Sequence, residues 1–273
     1  PMLELIRSFG LLMALAFNAV IFKVEGPKPG LEFFTAWVLE KSLSVDNLFV
    51  FVLLFAAFRV EMRHQHRVLY WGVLGALAMR AAMILAGTAL LRRFEWMMYV
   101  FGAFLIFTAL KMLFGGESKY DPSDNAIPRA FPRCVPFDPD GGHERLWSLR
   151  GGRRYATPLL LVLVSIEVTD LVFAVDSIPA VLAVSRDPFI VYTSNIFAIL
   201  GLRSLYFLLA KMMDRFHRLK TGLAFILAFV GLKMCLEHWM EIPVGWSLLT
   251  ILGILVSSVA ASLAWPRRHE GEA

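Results

Sequence analysis

Ser165-Ile166-Glu167-Val168-Thr169-Asp170-Leu171-Val172-Phe173-Ala174-Val175-Asp176-Ser177-Ile178-Pro179 is the middle of an apolar run covering residues 157–184. The run exceeds the roughly 20 residues that cross a hydrocarbon core about 30 Å thick. It also carries Glu167, Asp170 and Asp176 to a depth where water is scarce. A charged residue there costs on the order of 2.5–3.5 kcal/mol on insertion scales, so such residues face an interior and have partners. The run therefore predicts a membrane-embedded helix whose acids serve a purpose.

The rest of the chain agrees. Of its 273 residues 58% are hydrophobic and 18% charged, below the roughly 25% charged residues of soluble domains. Eight apolar segments are predicted to span a bilayer, at about 5–22, 33–57, 68–91, 95–114, 157–184, 189–210, 219–237 and 245–265. The net charge of +5 does not imply a nucleic-acid partner, because the basic residues fall in alternate loops. Seventeen Lys and Arg lie on one side of the predicted spans and five on the other, which is the pattern that sets orientation in a membrane. Both termini and the segment 115–156 are thus expected in the cytoplasm, and the protein in the cell's inner membrane. The two cysteines, Cys134 and Cys235, are too few for a disulfide framework or a zinc site.

The segment 115–156 divides the chain into related halves. Ala78-Met79-Arg80-Ala81 recurs as Gly201-Leu202-Arg203-Ser204, Ala109-Leu110-Lys111-Met112 as Gly231-Leu232-Lys233-Met234, and Val45-Asp46-Asn47-Leu48 as Val168-Thr169-Asp170-Leu171. Each half has three spans, an odd number, so the second enters the membrane from the opposite side. The predicted fold class is an all-α integral membrane protein built of two inverted three-helix repeats with flanking transmembrane helices. Its parts are 1–30 (N-terminal helix and loop), 31–114 (first repeat), 115–156 (cytoplasmic linker), 157–239 (second repeat) and 240–273 (C-terminal helix and tail). Inverted repeats commonly place a transport site at the midplane, between a broken helix from each half.

Candidate ligands follow from the same segments. The first repeat offers Glu40, Asp46 and Asn47, the second Glu167, Thr169, Asp170, Asp176 and Ser177. At about 100° per residue, Glu167 and Asp170 share a helix face whereas Glu167 and Asp176 lie nearly opposite. An unwound or kinked segment near Asp176, beside Pro179, is therefore expected to bring the acids together. All these groups are hard oxygen donors with no His among them, a set that suits Mg²⁺, Ca²⁺ or Mn²⁺ better than Zn²⁺ or Cu ions. The competing reading is that the acids form buried ion pairs with Lys41, Arg80 and Arg203 that merely orient helices. Arg80 and Arg203 serve either reading, by holding a carboxylate or by filling the site once a cation leaves. Lys111 and Lys233, near span ends, are expected to snorkel to the headgroups.

Leu39-Glu40-Lys41-Ser42-Leu43-Ser44-Val45-Asp46-Asn47-Leu48-Phe49-Val50, Phe173-Ala174-Val175-Asp176-Ser177-Ile178-Pro179-Ala180 and Thr193-Ser194-Asn195-Ile196-Phe197-Ala198-Ile199-Leu200-Gly201-Leu202-Arg203 resemble signatures of the TerC family, and within it the Alx-type members. The resemblance runs from about Asn18 to Trp265. It implies export of manganese, with Glu40, Asp46, Glu167, Asp170 and Asp176 binding the ion. Alx-type members usually carry a further N-terminal span, which does not occur in this sequence, and the topology of the N-terminus is left open on that account. The function expected is divalent-cation transport, Mn²⁺ first and Ca²⁺ next, in exchange for protons, because no P-loop is present. Other readings are a Ca²⁺/H⁺ exchanger, or a non-transporting scaffold linked to tellurium resistance or to metal delivery to secreted enzymes. An enzyme acting on oxyanions fits least, because an acidic cluster repels anions.

Overall fold

The structure, a computed structural model, describes residues 2–58, 60, 62–114, 135–138, 146–200, 219–240 and 242–264. It contains eight helices: α1 (Met2–Val24), α2 (Pro27–Ala57), α3 (Met62–Arg93), α4 (Met97–Phe114), α5 (Pro158–Leu182), α6 (Pro188–Leu200), α7 (Leu219–Leu236) and α8 (Val244–Ala264). Each falls on one of the eight predicted segments. Four stretches are long and apolar enough to cross a membrane: Val68–Arg93, Met97–Phe114, Pro158–Leu182 and Val244–Ser262. A two-stranded hairpin, β1 (Trp147–Arg150) and β2 (Arg153–Ala156), stands before α5, within the segment expected to be a linker.

Short polar signals start the helices. Gly26, with φ of 100°, turns the chain between α1 and Pro27, a conformation that costs glycine little. Thr157 accepts a hydrogen bond from the Leu160 N–H ahead of Pro158, and Asp187 accepts one from the Phe189 N–H ahead of α6 at 2.8 Å. These are N-caps, and a proline just after them loses only an amide that had no helical partner.

The expected break in the acidic helices is absent. α2 runs unbroken through Glu40 and Asp46, and α5 through Asp176 and Pro179. Two physical reasons account for the correction. The hydroxyls in these helices bond back to their own backbone: Ser42 to the Val38 carbonyl at 2.7 Å, Ser165 to Leu161 at 2.9 Å and Thr169 to Ser165 at 2.7 Å. They therefore satisfy themselves without unwinding. Pro179 sits three residues before the end of α5, so its missing amide costs one bond in a turn that is about to finish.

The helices pack across the two halves of the chain. α2 lies against α6 as α3 lies against α5; α4 crosses α7, α2 meets α5, and α3 meets α6. At the α4–α7 crossing the backbones touch. A Cβ on Gly102 would come within 2.8 Å of the Gly231 carbonyl, and one on Gly231 within 2.7 Å of the Gly102 carbonyl. Small residues permit this approach, which lipid-embedded helices use in place of a hydrophobic drive.

Two apolar clusters result. One gathers Phe33, Leu39, Ile84, Ala174, Ile178 and Val191 with their neighbours. The other joins Phe51, Leu54, Leu69, Val162, Ile166 and Ile199. On α3 and α5 the chain passes from one cluster to the other around Arg80 and Asp170, while Glu40 on α2 and Asn195 on α6 stand among residues of the first cluster.

Candidate functional site

Those four residues form one centre. Arg80 on α3 has only 1% of its surface exposed. Its Nε and Nη2 donate to Asp170 Oδ2 and Oδ1 at 3.1 and 3.0 Å, a fork on α5. Its Nη1 donates to Glu40 Oε2 on α2 at 2.9 Å. The other Glu40 oxygen accepts from Asn195 Nδ2 on α6 at 2.8 Å. The planar guanidinium suits this task because its rigid donors match two carboxylates at once. One cation thus faces two anions in a place closed to solvent, and four helices meet at it.

The neighbourhood is rich in acceptors. Glu167, one turn before Asp170, has a buried Oε2 with no hydrogen-bond partner among the described residues, and the same holds for Asn195 Oδ1 and Ser177 Oγ. Glu167 fits because α3 carries Gly75 opposite it, where a Cβ would collide with the carboxyl group. A cavity of about 30 Å³ lies alongside, lined by Phe51, Leu69, Gly72, Ala76, Glu167 and Asp170 among others. A volume of ~10–15 Å³ holds one water, so the space has room for water beside the Glu167 carboxyl group.

The candidate residues therefore separate. Glu40, Asp170 and Arg80 come together, and Glu167 stands next to them. Asp176 does not join: it is half-buried elsewhere on α5 and accepts a hydrogen bond from the Thr108 hydroxyl of α4 at 3.1 Å. Thr169 is occupied by its own helix backbone. The side chains of Asp46 and Asn47, and all of Arg203, lie outside the described residues. Among the described residues no three His, Cys, Asp or Glu side chains gather closely enough to hold a metal ion. Arg80 stands between the Glu40 and Asp170 carboxylates and donates to both.

Sequence reasoning missed Asn195, Thr108 and Gly75. The first had a signal, an amide in the polar string Thr193-Ser194-Asn195 inside an apolar helix. The other two had none, since their importance comes from the helix opposite. Lys233 is a correction. It is 7% exposed and donates to the Ala183 carbonyl at 3.3 Å, at the end of α5, instead of reaching for headgroups. The unpaired carbonyls and the negative end of the helix dipole give its charge a partner inside the bundle.

With this geometry in view, comparison with known proteins is decisive. The model of the integral membrane protein TerC family matches residues 25–270. The chain belongs to the TerC family. This multi-pass integral membrane protein is 49% identical over 251 residues to an uncharacterized membrane protein of Myxococcus xanthus, covering 92% of this chain and 79% of the relative. It is 44% identical over 267 residues to Alx of Escherichia coli K12, named as a proposed membrane-bound redox modulator, covering 94% and 83%. A membrane protein of Rickettsia felis shares 38% over 255 residues. No solved structure matches the chain significantly.

Proposed function

We propose that this TerC protein moves a divalent cation across the membrane, Mn²⁺ first and Ca²⁺ next, through the centre at Glu40, Asp170 and Arg80. The observation that carries the reading is the surplus of buried acceptors there. Among the described residues Glu40 and Asp170 share the Arg80 guanidinium, and beside them the buried Glu167 oxygen has no donor. An arrangement short of positive charge in a space closed to water is suited to receive a cation. Hard oxygens without His or Cys fit Mn²⁺ and Ca²⁺.

In this reading Arg80 is the tethered stand-in for the ion. A cation entering by the cavity near Glu167 displaces the guanidinium from Asp170, and the arginine returns when the ion leaves. The two halves of the chain form an inverted repeat whose reciprocal packing, α2 on α6 and α3 on α5, supports it. Helices from both halves then hold the ion, and rocking one half against the other exposes the centre to each side in turn. All eight helices cross the membrane, with the termini in the cytoplasm.

Ligand carboxylates must be deprotonated, so binding releases protons and weakens as pH falls. The purified protein in liposomes should carry Mn²⁺ down its gradient while protons move the other way. Glu40→Gln should remove most of that flux. Calorimetry in two buffers of different ionisation enthalpy should count the released protons. A folded parent that moves neither Mn²⁺ nor Ca²⁺ would rule transport out and leave a non-transporting role.

A further inference from the structure

The β1–β2 hairpin carries a feature that cation binding does not use. Trp147 pairs with Ala156, Ser148 with Tyr155, Leu149 with Arg154 and Arg150 with Arg153, around Gly151 and Gly152 with φ of 58° and 77°. Cross-strand partners point to the same face of a hairpin. One face therefore holds Trp147, Leu149 and Arg154, the other Ser148, Tyr155 and Arg153. Trp147 is 46% exposed and Leu149 72%. The hairpin is nonetheless fixed at its base. Ala156 exchanges backbone hydrogen bonds with Pro136 and Asp138, and the Thr157 hydroxyl that caps α5 donates to the Leu146 carbonyl at 3.1 Å.

Its position identifies what covers the apolar face. Only Thr157 separates β2 from Pro158, the first residue of a stretch long and apolar enough to cross the membrane. At 1.5 Å per residue the 25 residues of α5 reach about 37 Å against a core of about 30 Å. The root of the hairpin thus lies at headgroup level, and four-residue strands extend about 13 Å from it. A lone two-stranded hairpin is marginal in water. Residues 146–157 contain three arginines and no acid. Tryptophan belongs at a membrane interface, and arginines near the surface favour anionic lipids.

We propose that this hairpin lies on the surface of its own bilayer, with Trp147 and Leu149 in the interface and Arg154, on the same face, on anionic headgroups. It anchors the start of the helix that carries Glu167 and Asp170. The proposal stands whether or not the protein carries a cation.

The test uses the full chain with Cys134→Ser, Cys235→Ala and Leu149→Cys, labelled with bimane and placed in nanodiscs. The neutral quencher acrylamide reads exposure of the label. In discs containing 30% phosphatidylglycerol, quenching should fall at least threefold relative to phosphatidylcholine discs. The protection should disappear when Arg154 is changed to Gln, and should weaken at high salt, where surface charges are screened. Equal quenching in both lipids would overturn the proposal. So would protection that survives the Arg154 change, since that would mean that headgroup charge does not hold the face.

Discussion

Asp170 and Asp176 stand six residues apart on one helix and are held in different ways. Asp170, 4% exposed, receives two N–H groups from a guanidinium. Asp176, half-buried, receives one hydroxyl from Thr108. Six residues turn an α-helix through 600°, so the two acids look about 120° apart. The one facing the bundle's centre is forked by an ion; the one facing α4 is held by a hydroxyl, with the Lys111 charge acting on it without a hydrogen bond among the described contacts. The lesson is that surroundings, more than residue type, decide whether an acid at membrane depth belongs to a charge centre. A carboxylate with no solvent at all requires a full counter-charge, while one still partly solvated is content with a hydrogen bond.

The comparison can be broken most forcefully at Arg80. Arg80→Met should leave Glu40 and Asp170 facing each other without the guanidinium between them, a loss of about 3–5 kcal/mol for a broken buried pair. Folded yield and thermal stability in detergent, read by size exclusion after heating, should collapse. Adding Glu40→Gln and Asp170→Asn to the same chain should recover much of that loss, because neutral groups of the same shape no longer repel. If Arg80→Met alone is as stable as the parent, the guanidinium is not the partner that the two carboxylates need.

A smaller effect separates the two aspartates directly. Asp170→Asn should cost about 2–3 kcal/mol through the weakened fork and the exposed charge imbalance, and it should abolish Mn²⁺ flux. Asp176→Asn keeps an acceptor for the Thr108 hydroxyl and removes only the charge, so it should cost only about 0.5–1.5 kcal/mol. Thermal stability and vesicle flux measured on both variants test the contrast. Equal losses of stability would place Asp176 in the same centre as Asp170.

The sequence made much of this legible. Long apolar runs located all eight helices, and buried acids marked α2 and α5, because burial in lipid leaves few reasons for charge. Its error lay in an assumption about purpose. Geometry correctly indicated that Glu167, Asp170 and Asp176 cannot converge from one straight helix, and the helix was expected to break so that they could. Instead α5 stays whole and the acids part company. Nothing in a linear sequence tells which helix will stand opposite Asp176, so Thr108 could not be found. Gly75 was equally silent, since its value lies in the space that it leaves for Glu167.

Lys111 and Lys233 extend the same contrast to positive charge. They occupy matching places in the two halves of the sequence, and both were expected to snorkel. Lys111 is exposed, whereas Lys233 is buried and spends its ammonium on the Ala183 carbonyl at the end of α5. A cation there satisfies an acceptor that the finished helix leaves without a partner, and it meets the negative end of the dipole. Lys233→Met keeps the length and apolar stem but removes both interactions, for an expected loss of about 1–2 kcal/mol. Lys111→Met should leave thermal stability close to that of the parent. Hydrogen exchange adds a local reading, because an uncapped α5 should fray first at Ala180, Val181 and Leu182. Faster exchange there in Lys233→Met, with the rest of α5 unchanged, would establish the cap. Unchanged exchange together with parental stability would show that the buried lysine contributes nothing to the end of the helix.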